Sequence, residues 1–306
     1  MQLLRLLAER VMAQLEWRGN RAVCANLQRR QSGRIGQQHA AGWTLANGMD
    51  IAGIYAATEV GLAVDIIGKD RPGRWVVSCD HASNSVPDWV NGGNLGIAPQ
   101  DMARHIAWDV GAAGLALALG EALDSPVILS QFSRLVIDLN RGKDDPTLVM
   151  QLYDGTIIPG NRHITPDDMA ARKARLYDPY HAALGSLMAR QPDTVLLAVH
   201  SFTRQLNGRA PRPWHVGVLY SHLGPELSLP LLQALARDPD LCVGDNEPYA
   251  GHLPGDSIDQ HALQTGRLNT LIEIRNDLVS DAQSQTSWAL RLVPHLWDAL
   301  AAAETA

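Results

Sequence analysis

Four short apolar runs, each ending on polar or ionisable residues, constrain the fold of this chain more than any other feature. They lie at 78–84 (Ser-Cys-Asp-His-Ala-Ser-Asn), 137–141 (Ile-Asp-Leu-Asn-Arg), 199–202 (Val-His-Ser-Phe) and 272–275 (Ile-Glu-Ile-Arg). Runs of this kind read as strands buried on both faces, and therefore as strands of a mostly parallel sheet. In an open α/β sheet, the residues at the carboxyl ends of such strands line the ligand crevice. Two histidines, several carboxylates, arginines and a glutamate in an apolar strand would then converge there. That combination points to metal-assisted hydrolysis of an amide.

The rest of the chain supports the same class. Strands are expected at 74–80, 127–131, 135–139, 194–199, 214–220, 241–244 and 270–274, and helices at 99–123, 165–190, 225–236 and 284–303. Thr165 with Pro166, Asp167 and Asp168 marks a helix start, because proline suits the first turn and the acids complement the helix dipole. Strands alternating with helices at this spacing predict a three-layer α/β fold, a mixed and mostly parallel sheet with helices on both faces. The polar stretch 142–161 is long enough to cover a site. No glycine-rich phosphate loop and no internal repeat is present.

Composition sets the compartment and the partners. The net charge of -6 argues against nucleic acid as a partner. No apolar stretch approaches the ~20 residues that span a bilayer. The three cysteines, Cys24, Cys79 and Cys242, form no CxxC pair and no disulfide framework, which fits a reducing cytoplasm. Residues 1–48 differ from the remainder, with seven arginines, no lysine and two acids. That segment reads as a dispensable or non-native extension, transit-peptide-like in composition. A single domain is expected over 49–306. The oligomeric state is not legible.

His81 and His200 each follow a buried strand and are candidate metal ligands. A catalytic zinc site usually takes three protein ligands. The third is open between Asp80, whose side chain points to the opposite face if the strand continues, and Asn84, which has the reach but is a poor ligand type. Glu273 sits in an apolar strand, where a bare carboxylate is costly unless it is paired, coordinated or catalytic. Burial would raise its pKa toward the range of a general base. An ion pair with Arg275 is the alternative. Asn140 and Arg141 can grip a substrate carboxylate, the guanidinium offering a planar fork. A loop network with Asp144 and Asp145 is the alternative there. His105 and Asp109 share a helix face at a spacing of four. They read as substrate contacts, as a supporting pair, or as a plain helix-face hydrogen bond.

These segments resemble the N-formylglutamate amidohydrolase family. The resemblance is carried by the stretches at 79–84, 105–112, 133–141, 177–181, 200–203, 245–249 and 273–278, in order along the chain. The family is similar in fold to zinc carboxypeptidases and to aspartoacylase and succinylglutamate desuccinylase. The resemblance implies zinc, or another divalent ion, on His81 and His200, with Glu273 as the base. It also implies Arg134 at the scissile carbonyl and Asn140 with Arg141 on the substrate carboxylate. The wider group has an acid where this chain has Asn84, so Asp80 is the expected oxygen ligand. Asp138, Asp109, His105, Arg275 and His261 complete the candidate substrate contacts. The implied reaction releases formate from N-formyl-L-glutamate, or a short acyl group from another N-acyl amino acid. A carboxypeptidase or amidase acting on peptide or cell-wall fragments, and an inactive binder of an acidic metabolite, are the alternatives.

Overall fold

Successive residues of the central strands point into two different cores. In β2 (Trp75–Cys79), Trp75, Val77 and Cys79 enter one core while Val76 enters the other. The same alternation runs through β6 (Val195–Phe202), where Val195, Leu197 and Val199 face the first core and Leu196 and Ala198 the second. A strand buried on both faces gains nothing from polar alternation, so it reads as a continuous apolar run.

The computed structural model describes residues 63–305. The expected extension at 1–48, its boundary at 49 and Cys24 lie outside the described residues. The other strands of the main sheet are β1 (Val64–Ile67), β3 (Val127–Ser130), β7 (Val216–Leu219), β8 (Val243–Asp245) and β9 (Asn269–Arg275). A separate hairpin is made by β4 (Leu152–Tyr153) and β5 (Thr156–Ile157). The seven strands are ordered β1-β3-β2-β6-β9-β7-β8. Pairs β3-β2, β2-β6, β6-β9 and β7-β8 are parallel, and β1-β3 and β9-β7 are antiparallel. The sheet is thus mixed and mostly parallel, as expected.

Helices α2 (Ala112–Ala122), α5 (Ser228–Ala236) and α7 (Ala282–Ala303) pack on one face. Helices α3 (Pro166–Arg172) and α4 (Asp178–Met188) are joined by a π-helical turn, Lys173–Tyr177. Leu176, Tyr177, Tyr180 and Leu184 from this stretch, with Ile258 of α6 (Ser257–His261), fill the other core. Thr165 caps α3 and completes a capping box with Asp168, which satisfies backbone donors that a helix start leaves free.

Two expected elements are not formed. The helix over 99–123 is split into α1 (Pro99–Met102) and α2, with turns between them. The turn backbone is bonded to other segments: Asp109 N–H donates to the His81 carbonyl at 2.9 Å, and the Ala107 carbonyl accepts from Ser133 Oγ at 2.7 Å. Gly111 then enters α2 at φ 83°, a left-handed conformation that glycine alone adopts readily. The stretch 135–139 is buried but is not a strand. Its carbonyls are taken by side chains from elsewhere: Leu135 by Asn161 at 2.7 Å, Val136 by Arg172 at 2.7 Å and Leu139 by Ser257 at 3.3 Å. Once those groups are satisfied, no ladder is needed to bury them. Strand β1 has no counterpart among the expected elements; it is a four-residue edge strand whose two middle residues are partly exposed.

Candidate active site

The carboxyl ends of the three central parallel strands carry the chemistry. His81 stands two residues after β2, His200 lies on β6 and Glu273 on β9. His200 and Glu273 are register partners across the β6-β9 pair. The split helix delivers Asp109 between the two histidines. Asp109 Oδ2 is 2.8 Å from His200 Nδ1 and 3.3 Å from His81 Nδ1. All three residues are buried, and their candidate ligand atoms lie within 4.8 Å of one another.

Behind His81, Asp138 Oδ1 is 2.7 Å from Nε2. With a cation bound, that contact would hold the proton on Nε2 and leave Nδ1 as the lone-pair nitrogen, the arrangement that metal-binding histidines use. Behind His200, Asp80 Oδ2 is 3.9 Å from Nε2. Asp80 Oδ1 accepts from the Tyr180 hydroxyl. Asp80 therefore stands on the far side of His200 from Asp109, because neighbouring residues at a strand end point to opposite faces. Asp80, the expected oxygen ligand, is therefore outside the three-donor cluster; the carboxylate that meets both histidines is that of Asp109, which had been placed among substrate contacts. Asn84 is directed elsewhere, its Nδ2 donating to the Met102 carbonyl at 2.9 Å.

The donor set fits a divalent cation. Two imidazole nitrogens, which a bound cation would hold in their neutral form, and one carboxylate oxygen converge in a buried site, and Asp138 bonds the other nitrogen of His81. The same set admits several divalent ions.

The electrostatics follow from burial. Burial pushes the Asp109 carboxyl up, but the His81 charge and the hydrogen bonds from both histidines outweigh it and hold it far below the usual range. Burial opposes charge on His200, yet the Asp109 hydrogen bond raises it to about 9. Glu273 is raised to about 7, chiefly by burial, with His200 pulling the other way. Its Oε2 is buried and has no hydrogen-bond partner. Arg134 ion-pairs with Asp138 at 2.8 Å and lies 3.5 Å from Asp109.

A cavity of about 280 Å³ opens onto these groups. Arg134, Asn140, Arg141, His105 and Glu273 line it. Five other candidates, Asp138, His261, Arg275, Asp80 and Asn84, are not on its wall. Asp138 sits behind His81 and braces Arg134. His261 is 2.9 Å from His181 Nδ1 in a separate histidine pair. Arg275 turns to Asp277 at 2.7 Å, so neither its ion pair with Glu273 nor a shared crevice forms. Asp80 and Asn84 have been placed above. His105 and Asp109 are not a helix-face pair, since the helix is broken between them; His105 Nε2 instead lies 3.5 Å from Asp154 Oδ2. Two tyrosines of the wall had no role in the sequence reading. Tyr153 comes from the β4-β5 hairpin, within the stretch expected to cover the site, and Tyr249 follows Pro248. A larger groove of about 740 Å³, between Trp89 and Arg175, holds none of the acid, base or ligand groups.

Residues 73–280 match the N-formylglutamate amidohydrolase family. The chain belongs to that family. Two solved structures are similar to this one. The gene product Atu2144 from Agrobacterium tumefaciens is 32% identical, with a TM-score of 0.75, covering 80% of this chain and 97% of that one. An N-formylglutamate amidohydrolase from Ralstonia eutropha JMP134 is 22% identical, with a TM-score of 0.57, covering 76% of this chain and 93% of that one. Among curated proteins, none matches. Among the described residues, no helix is long and apolar enough to cross a membrane.

Proposed function

We propose that this chain is a metal-dependent hydrolase of the amide bond of N-formyl or short N-acyl amino acids. N-formyl-L-glutamate is the first substrate, giving formate and L-glutamate. The observation that carries the reading is the His81–Asp109–His200 cluster beside the buried, unpartnered Glu273 carboxylate in one cavity.

A divalent cation bound by His81, Asp109 and His200 supplies Lewis acidity. The chain's own residues do the rest. Glu273, poised by burial, accepts a proton from the attacking water and returns it to the leaving nitrogen. Arg134 offers its charge where the carbonyl oxygen becomes negative, and it is preorganised because Asp138 fixes its guanidinium. Arg141 and Asn140 hold the amino acid's carboxylate. Asn140 is itself fixed by the Ser257 backbone donor at 3.3 Å, and the Arg141 carbonyl by the Tyr177 hydroxyl at 2.8 Å. Asp138 keeps the His81 imidazole in orientation.

The test is formate release from N-formyl-L-glutamate by zinc-loaded protein, with and without a chelator. Release that the chelator abolishes and added zinc restores is expected. Zinc-loaded, folded protein that releases no formate from this substrate and no acyl group from other N-acyl amino acids would overturn the reading.

A further inference from the structure

The arginines around the cavity are not equivalent in charge balance. Arg134 is neutralised by Asp138 and Asp109. Arg141 has no carboxylate within ion-pair distance among the described residues; its Nε donates to Thr147 Oγ1 at 3.1 Å and its Nη1 to the Asn140 carbonyl at 2.7 Å. A third arginine, Arg212, lies between β6 and β7, just behind the wall. It too has no carboxylate partner among the described residues. Its Nη1 donates to the Thr203 carbonyl at 3.1 Å and to the Tyr249 hydroxyl at 3.0 Å. Its guanidinium lies over the Tyr249 ring, 4.9 Å from the centroid, and 5.7 Å from that of Phe202. Phe202, Thr203 and Tyr249 all line the cavity.

An arginine without an acid is ordinary on a solvated surface. Arg212 is different because it is half-buried and immobilised. Two aromatic contacts and two hydrogen bonds hold a side chain that otherwise loses much rotamer freedom on ordering. Every one of those hydrogen bonds leaves from Nη1. The edge made by Nε and Nη2, which matches a carboxylate with two parallel donors, makes no hydrogen bond among the described residues. Its field also reaches the wall: at His105, burial pushes the imidazole down, Asp154 opposes, and the charges of Arg104, Arg212 and Arg134 add to the downward push.

We propose that Arg212 is a second anion anchor of this cavity, holding the side-chain carboxylate of the N-acyl glutamate whose other carboxylate Arg141 and Asn140 hold. The proposal rests on the amide-hydrolase reading for the identity of the ligand. It assigns to one residue the preference for an acidic amino acid over its neutral isostere.

The experiment compares N-formyl-L-glutamate with N-formyl-L-glutamine, which has nearly the same shape and one carboxylate fewer. Binding is measured by titration calorimetry on zinc-loaded protein carrying Glu273→Gln, alone and combined with Arg212→Gln or Arg212→Lys. A charge-assisted pair corresponds to about 10–100-fold in affinity. The glutamate ligand is expected to bind tighter than the glutamine ligand by that factor. Arg212→Gln is expected to remove the difference by weakening the glutamate ligand alone, and Arg212→Lys to restore part of it. Equal weakening of both ligands by Arg212→Gln, with Arg212→Lys no better, would reduce Arg212 to a support for Tyr249 and overturn the proposal. So would equal binding of the two ligands, or no binding of either, with Arg212 in place. Hydrolysis is followed separately with otherwise unchanged protein. Its absence would count against the chemistry, while the binding comparison still reports on Arg212.

Discussion

His200 and Glu273 face each other as register partners on adjacent parallel strands, β6 and β9. Side chains of paired residues leave a sheet on the same side, so the strand pairing itself sets the base beside the histidine of the cation cradle. Gly217 on β7 is the partner of Glu273 on the other side. A Cβ there would come within 2.1 Å of the Glu247 carbonyl oxygen, so the tight approach of that loop to the β7 backbone demands glycine.

Glu273→Gln keeps the size of the side chain and removes the proton acceptor. The expected result is a loss of about 10²–10⁴-fold in kcat, the usual contribution of a general base. Metal content by elemental analysis should stay unchanged, because Glu273 is not part of the three-donor cluster. Retained turnover would remove Glu273 from the role of base.

The three carboxylates around the histidines should separate in a metal-binding assay. Asp109→Asn is expected to leave the protein largely without metal after dialysis, since it removes the one anionic donor in the cluster. Asp138→Asn should keep the stoichiometry but weaken affinity by roughly 10–100-fold, the effect of disturbing the partner behind a ligating histidine. It should also lower stability, because Arg134 loses its closest counter-charge. Asp80→Asn should be milder than Asp109→Asn. Metal lost with Asp80→Asn and kept with Asp109→Asn would return the ligand to Asp80.

Strands β2, β6 and β9 were legible because burial on both faces leaves an apolar run that only a polar terminus interrupts. The same signal misled at 135–139. That run is apolar because it is buried, but its backbone is satisfied by Asn161, Arg172 and Ser257, and nothing local announces such distant partners. His81, His200 and Glu273 announced themselves as ionisable groups at or near strand ends. Asp109 did not, since it meets His81 across 28 residues and His200 across 91, and it sits where the apolar pattern reads as continuous helix. Asp80 looked like a ligand by adjacency to His81, while the strand's alternation turns it toward Tyr180 instead.

The break that delivers Asp109 should be sensitive at Gly111. The residue stands at φ 83°, and a Cβ would lie 2.2 Å from the Val279 carbonyl oxygen. Gly111→Ala combines left-handed strain of about 1–2 kcal/mol with a backbone clash that forces Val279 or the turn to move. Urea unfolding should show destabilisation of at least that strain, and metal affinity should fall as Asp109 shifts, though no ligand is replaced. Unaltered stability would mean that the turn relaxes without penalty.

The histidine pair behind the Asn140–Arg141 segment predicts an acid-sensitive stability. His181 Nδ1 lies 2.9 Å from His261 Nε2, and His181 packs 4.1 Å from the Tyr177 ring centroid. Burial, then the neighbouring His261, lowers His181 from 6.5 to about 4. The unfolded chain therefore takes up a proton that the folded chain refuses. The contribution of neutral His181 is fully present above pH 6.5 and is lost as the pH falls from there to about 4, a span of about 3 kcal/mol at most. His181→Gln, which does not titrate, should flatten the dependence of the urea midpoint on pH across that window. The comparison with unsubstituted protein cancels the carboxylates that titrate in both. Parallel curves for the two proteins would show that His181 does not set the acid limit, and would shift attention to His261, whose imidazole burial also pushes down.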